Sequence, residues 1–162
     1  MRDRPAVIST EKAAAPTGPF VQAVRAGDFV FVAGQRGIDP RTGALVAGTR
    51  EKVRQTFENI RAILSAAGTS LEYVVMSRVY VRDMAADRPI VNEAYERYFP
   101  TGPPPRTIVE VARLNQEDQV EIEVVAWVPP RQSAPRRRGR ENAATRARGR
   151  TVGAGRPRRE RP

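Results

Sequence analysis

The chain has 162 residues, enough for one domain with a hydrophobic core, and it contains neither histidine nor cysteine. This excludes disulfides, thiolate nucleophiles and cysteine metal sites, and it removes the usual imidazole base and the commonest metal ligand. The formal charge of +10 is lopsided: twelve of 28 basic and two of 18 acidic residues lie in residues 131–162, so residues 1–130 hold sixteen of each and are neutral.

No apolar run reaches the roughly 18 residues that argue a membrane span. Met1-Arg2-Asp3-Arg4-Pro5 leads into no apolar segment, so no signal peptide is expected and the expected location is cytoplasmic. Val7-Ile8 reads as a first strand piece, followed by an Ala/Pro/Gly loop over residues 13–19. Phe29-Val30-Phe31-Val32-Ala33-Gly34 is aromatic and β-branched, which predicts a buried strand closed by a glycine that allows close backbone approach. Asp39-Pro40-Arg41-Thr42-Gly43 is a turn.

Residues 49–67 set Val53, Phe57, Ile60, Leu64 and Ala67 on one helical stripe, with Thr49 as the expected cap and Gly68 as the stop. Residues 73–83 read as a long strand. A second helix is expected with Asp87 as its cap and Pro89 near its start, and Pro100 with Pro103-Pro104-Pro105 ends it. Residues 107–112 and 120–128 are the last strands. In the second, Val120, Ile122, Val124, Ala126 and Val128 share one face, and Glu121, Glu123, Val125 and Trp127 the other. The order β-β-α-β-α-β-β predicts an α+β domain over residues 1–130, with its helices on one side of a sheet. Residues 131–162 are Arg-, Gly-, Pro- and Ala-rich without an aromatic residue. That composition predicts a disordered tail, solvated or drawn to phosphate backbones, but no base-stacking platform.

With no histidine or cysteine, an arginine and a carboxylate are left to carry much of any chemistry. Pro105-Arg106-Thr107-Ile108 places an arginine at the mouth of one strand, and Glu121 lies early in the next. An arginine stays charged and grips a carboxylate with two parallel hydrogen bonds. From spacing alone Arg106 also suits a surface ion pair, and Glu121 and Glu123 suit the polar face of a half-exposed strand. Arg113 reads as one half of a structural pair.

Several ordered motifs carry a resemblance. Ala15-Pro16-Thr17-Gly18-Pro19-Phe20 is similar to an A-x-G-P-Y opening, and Ala33-Gly34-Gln35 to S-G-Q. Asn59-Ile60 with Ala66-Ala67-Gly68, Val79-Tyr80-Val81-Arg82-Asp83, and Asn92-Glu93-Ala94-Tyr95 with Phe99 follow in the same order. Pro105-Arg106 through Leu114, then Glu121-Ile122-Glu123, completes the set. From about residue 7 to 128 the chain resembles the Rid family, also called YjgF: reactive enamine and imine deaminases.

The resemblance implies a chorismate-mutase-like α+β fold and a homotrimer whose sheets form a central barrel, with active sites in the clefts between subunits. It implies hydrolysis of 2-aminoacrylate and 2-imino acids to 2-oxo acids and ammonia, with no metal or organic cofactor. Arg106 takes the role of carboxylate anchor and Glu121 that of water-orienting acid–base group; Phe20, Ala33, Gly34 and Ile108 fall on substrate-binding positions, Ile108 through its main chain. Asn92 is expected to hold a loop or helix contact, and Glu123 to be structural. Phe20, Ala33 and Ile108 replace tyrosine, serine and a frequent cysteine, which predicts a more apolar cleft and a larger or more apolar substrate. Two other functions are weighed beside the deaminase: a ligand-binding or specialised pathway protein acting on another imine or carbonyl compound, and an RNA-associated protein that binds through the tail alone. The small imino acid is the expected partner, and no membrane association is expected.

Overall fold

A computed structural model describes residues 4–130, so the tail expected at 131–162 lies outside the described residues. The elements run β1 (Ala6–Ile8), β2 (Ala23–Ala26), β3 (Phe29–Gln35), α1 (Thr49–Ala66), β4 (Val74–Val81), α2 (Met84–Tyr98), β5 (Arg106–Glu110) and β6 (Val120–Trp127). They form one six-stranded sheet in the order β1-β2-β3-β6-β4-β5. Neighbours are antiparallel except β4 and β5, which run parallel and are joined through α2. The sheet is mixed and both helices cover one face, the α+β architecture expected from the sequence.

Strict alternation creates that face. Val79 and Val81 on β4, and Val120, Ile122, Val124 and Ala126 on β6, are buried with Val53, Phe57, Ile60, Ile63 and Leu64 of α1. The Phe57 ring stacks on Tyr98 at 4.5 Å and meets Tyr95 and Phe99 edge-on, which ties α1 to α2. The other face carries Glu121, Glu123, Val125 and Trp127 on β6, and Phe29 and Phe31 on β3 remain 42% and 47% exposed. No element among the described residues covers it.

Three local features differ from the expected order. An extra strand, β2, forms a hairpin with β3 across Gly27-Asp28, with Gly27 at φ 59°. Its residues Ala23-Val24-Arg25-Ala26 have little strand signature alone and gain it from two neighbours. At the start of α1, Gly48 rather than Thr49 occupies the cap position, at φ 79°, where a glycine is favoured. In α2 the cap is Asp83, whose carboxylate accepts from the Ala86 amide at 2.9 Å. Asp87 lies inside the helix and accepts back from the Asp83 amide at 3.1 Å. The helix therefore begins before Pro89, which sits within it and removes one main-chain donor.

Candidate active site

Arg106 opens β5 in register with Ser77 of β4, so its side chain leaves on the helix-covered face. Nη2 donates to Asn92 Oδ1 at 2.8 Å, and the guanidinium lies 4.5 Å from the centre of the Tyr95 ring. The Tyr95 hydroxyl is hydrogen-bonded to Ser77 Oγ, so the ring beneath the arginine is itself fixed. Burial pushes the Tyr95 phenol up, which keeps it neutral beneath the cation. Asn92, Tyr95, Phe99, Pro103, Pro104 and Arg106 line a cavity of about 620 Å³. Arg106 has no carboxylate within 4.0 Å among the described residues, so the surface-ion-pair reading finds no partner there. The arrangement is a held, stacked guanidinium with donors to spare at the mouth of a cavity.

Asn92 and Tyr95 both serve Arg106. Asn92, expected to hold a loop or helix contact, instead reaches from α2 to β5 and holds the candidate anchor. Tyr95 looks like one more apolar residue on α2 until β5 is placed beside it.

Glu121 stands opposite Tyr80 on β4 and points away from the helices. Its carboxylate makes no hydrogen bond among the described residues and lies directly over Gly34. A Cβ at Gly34 would fall 1.9 Å from Glu121 Oε1. Burial is the main influence on this carboxyl and pushes its pKa above the ordinary glutamate value; Arg36 opposes the shift, while Asp118 and Glu123 add to it. Phe20, Ala33, Gly34, Arg36, Asn115 and Glu121 are among the residues around a second cavity of about 340 Å³. Three of the expected substrate-binding positions therefore meet at Glu121.

Gly34→Ala tests how far the site depends on this close approach. The atom in the way ends a flexible side chain, so the fold can yield by turning Glu121 aside. We expect a thermal midpoint within a few degrees of the parent and a kcat at least about 10-fold lower, the order of effect of a misplaced catalytic group. A midpoint that collapses with activity would show instead that Gly34 serves the fold.

Ile108 is placed differently from the apolar-cleft expectation. Its side chain packs against the core beside Val79 and lines neither cavity. Its peptide groups, however, lie on the open edge of the sheet. Thr107, Val109 and Val111 bond towards β4, as the Val111 N–H to Val81 carbonyl bond of 2.9 Å shows, which leaves those of Ile108 directed outward. Nor is the Glu121 cavity uniformly apolar: Gln22, Gln35, Asn115 and Arg36 share it with Phe20 and Ala33.

Glu123 is structural as expected, paired with Arg78 at 2.7 Å. Arg113 is not: it is exposed and has no ion pair among the described residues. Arg36 belongs to none of the motifs above and is only 9% exposed. Its Nη1 donates to the Asn115 carbonyl at 2.7 Å and to Gln116 Oε1 at 3.1 Å. Those acceptors belong to a turn in which Gln116 and Glu117 both adopt φ 56°, a left-handed conformation costing about 1–2 kcal/mol per residue. The signal was a cation two residues beyond the glycine that approaches Glu121. Among the described residues no three His, Cys, Asp or Glu side chains come together as a metal site, and no helix is long and apolar enough to cross a membrane.

Comparison with known proteins covers most of the described residues. The family model described as Endoribonuclease L-PSP matches residues 10–128. A RutC family protein of Pyrococcus horikoshii is 48% identical over 122 residues, 75% of this chain and 96% of its own length. A protein of Salmonella typhimurium named 2-iminobutanoate/2-iminopropanoate deaminase is 41% identical, over 74% of this chain and 94% of its own. Among solved structures, E. coli TdcF with bound serine superposes with a TM-score of 0.72 at 35% identity, covering 75% of this chain and 97% of that one. The family match takes in β2 to β6, including the strands that carry Arg106 and Glu121, so the chain belongs to the Rid (YjgF) family.

Proposed function

We propose that this protein is a hydrolytic deaminase of 2-imino acids and their enamine tautomers, acting as a homotrimer with its sites between subunits. Arg106 of one subunit holds the substrate carboxylate. Glu121 of the neighbouring subunit orients a water towards the C=N carbon. The O–H proton lost by the water passes to the carboxylate as the C–O bond forms at the protonated imine. Glu121 then returns that proton to the carbinolamine nitrogen, the C–N bond breaks as the hydroxyl proton leaves to solvent, and a 2-oxo acid and ammonia result. Protonated imines are strong electrophiles, so modest acid–base help suffices.

The observation that carries this reading is the separation of the two groups. Arg106 lies on the helix-covered face and Glu121 on the bare face of the same sheet, in different cavities. One copy cannot bring them to one small molecule. A second copy packed against the bare face, with its Phe29, Phe31, Val125 and Trp127, supplies the missing half of each site. The deaminase name of the Salmonella relative and the serine bound in TdcF, a small amino acid of the same carboxylate class, support the substrate class.

A neutral charge balance in residues 1–130 weighs against a nucleic-acid surface in that part of the chain, whatever the description of the family model. The test is a panel of 2-imino acids generated in situ by amino-acid oxidases, with trapping of the imine as readout. Faster loss of the imine and faster release of 2-oxo acid support the proposal. No acceleration for any side chain sinks it and favours a ligand-binding role for the same cleft.

A further inference from the structure

Arg36 has no role in the reaction as written, yet it is a buried cation in the cavity of Glu121. Continuing the antiparallel register one step from the Gln35↔Ile122 pair sets Arg36 across from Glu121. The two do not form an ion pair: no carboxylate lies within 4.0 Å of Arg36 among the described residues. Nη1 is engaged by Asn115 and Gln116, whereas Nε and Nη2 have no protein acceptor among them. Neither atom is among the fully enclosed, unsatisfied groups, so both keep access to the cavity. Lys52, by contrast, has a carboxylate beside it: its Nζ lies 3.7 Å from Asp118 Oδ1.

A guanidinium edge that opens into a small cavity without a protein acceptor is free to meet an anion, and its fork fits a carboxylate. Two hydrogen bonds from Nη1, to the Asn115 carbonyl and Gln116 Oε1, fix one side of the guanidinium and orient its free edge.

We propose that Arg36 is a specificity-determining residue that binds a second carboxylate, so that this site prefers dicarboxylic 2-imino acids. The inference rests on the deaminase reading above: Arg106 takes the carboxylate beside the imine carbon, and Arg36 takes the one at the end of the side chain. It also explains how a cavity with fewer hydroxyl groups can orient its substrate.

The experiment compares full-length wild type, Arg36→Met and Arg36→Lys on 2-iminoglutarate and on 2-iminobutanoate. Both variants keep the aliphatic stem, and the readout is the ratio of the two kcat/KM values. A change in Glu121 or a loosened turn acts on both substrates and cancels in this ratio. We expect the wild-type ratio to favour the dicarboxylic imine, to fall by about 10-fold or more in Arg36→Met, and to fall less in Arg36→Lys, as for loss of a charge-assisted hydrogen bond. A ratio that does not move overturns the Arg36 assignment and leaves the deaminase reading standing. If neither imine is hydrolysed, the deaminase reading fails, and titration with 2-oxoglutarate against 2-oxobutanoate decides the subsite separately. Preference for 2-oxoglutarate lost in Arg36→Met upholds it, and equal binding by the two proteins overturns it.

Discussion

Arg106→Ala should lower kcat/KM for 2-imino acids by about 10³-fold while leaving the assembly and its thermal midpoint nearly unchanged. The size follows from what is removed. A buried, charge-assisted contact to a substrate carboxylate costs about 2–5 kcal/mol when one partner is truncated, and misorientation of the electrophilic carbon adds to that. The small effect on folding follows from the environment. Arg106 is half-buried, has no ion pair among the described residues, and opens an edge strand. Its partners survive its loss, because Asn92 faces a cavity and Tyr95 keeps its bond to Ser77. Arg106→Lys is the sharper control. It keeps the charge but loses the planar fork and the stacked position, so it should recover only a small part of the rate. Steady-state kinetics beside a melting curve checks both variants, and near-parent activity in Arg106→Ala would remove Arg106 from the site.

Much of the architecture was legible in the sequence, for local reasons. The α1 stripe of Val53, Phe57, Ile60 and Leu64 repeats at the helical period and is buried in full. The alternation along β6 separates Ile122 from Glu121 with no reference to any other strand. β2 was illegible because small residues become a strand only through pairing on both sides. The start of α2 is ambiguous in the sequence because Asp83 and Asp87 both have the chemistry of a cap, and only the reciprocal hydrogen bonds decide between them. At the site, the ordered motifs singled out Arg106 and Glu121, but the groups that govern them were hidden by distance along the chain. Asn92 reaches Arg106 across 14 residues, and Arg36 reaches Asn115 across 79. Neither contact has a periodicity to betray it. The same long-range geometry replaced a greasy cleft with a mixed one, by turning Ile108 into the core and Arg36 into the cavity.

Glu121→Gln separates catalysis from stability in the opposite sense to an ordinary core mutation. Burial raises the folded-state pKa of Glu121, so folding favours its protonated form. The sign is then fixed: its contribution to stability is present at acid pH and is lost as pH rises through the raised value. At neutral pH the ionised carboxylate is a cost to the fold, and a neutral amide of the same shape should melt at the same temperature or higher. Activity runs the other way. The carboxylate must be ionised to take a proton from water, so wild-type kcat/KM should decline as pH falls through a midpoint above the usual glutamate range. Glu121→Gln should lose about 10²–10⁴-fold in kcat, the span of general acid–base catalysis, and that limb should vanish from whatever rate remains. The two inactive variants together test the assembly. If each site takes Arg106 from one subunit and Glu121 from its neighbour, an equal random mixture of Arg106→Ala and Glu121→Gln subunits contains intact sites, because one half of a site can come from each kind of chain. The arginine donor must be a Glu121→Gln chain and the glutamate donor an Arg106→Ala chain, so about a quarter of sites should regain activity in a closed cyclic trimer. A site built within one chain would regain none, since every chain in the mixture carries a defect.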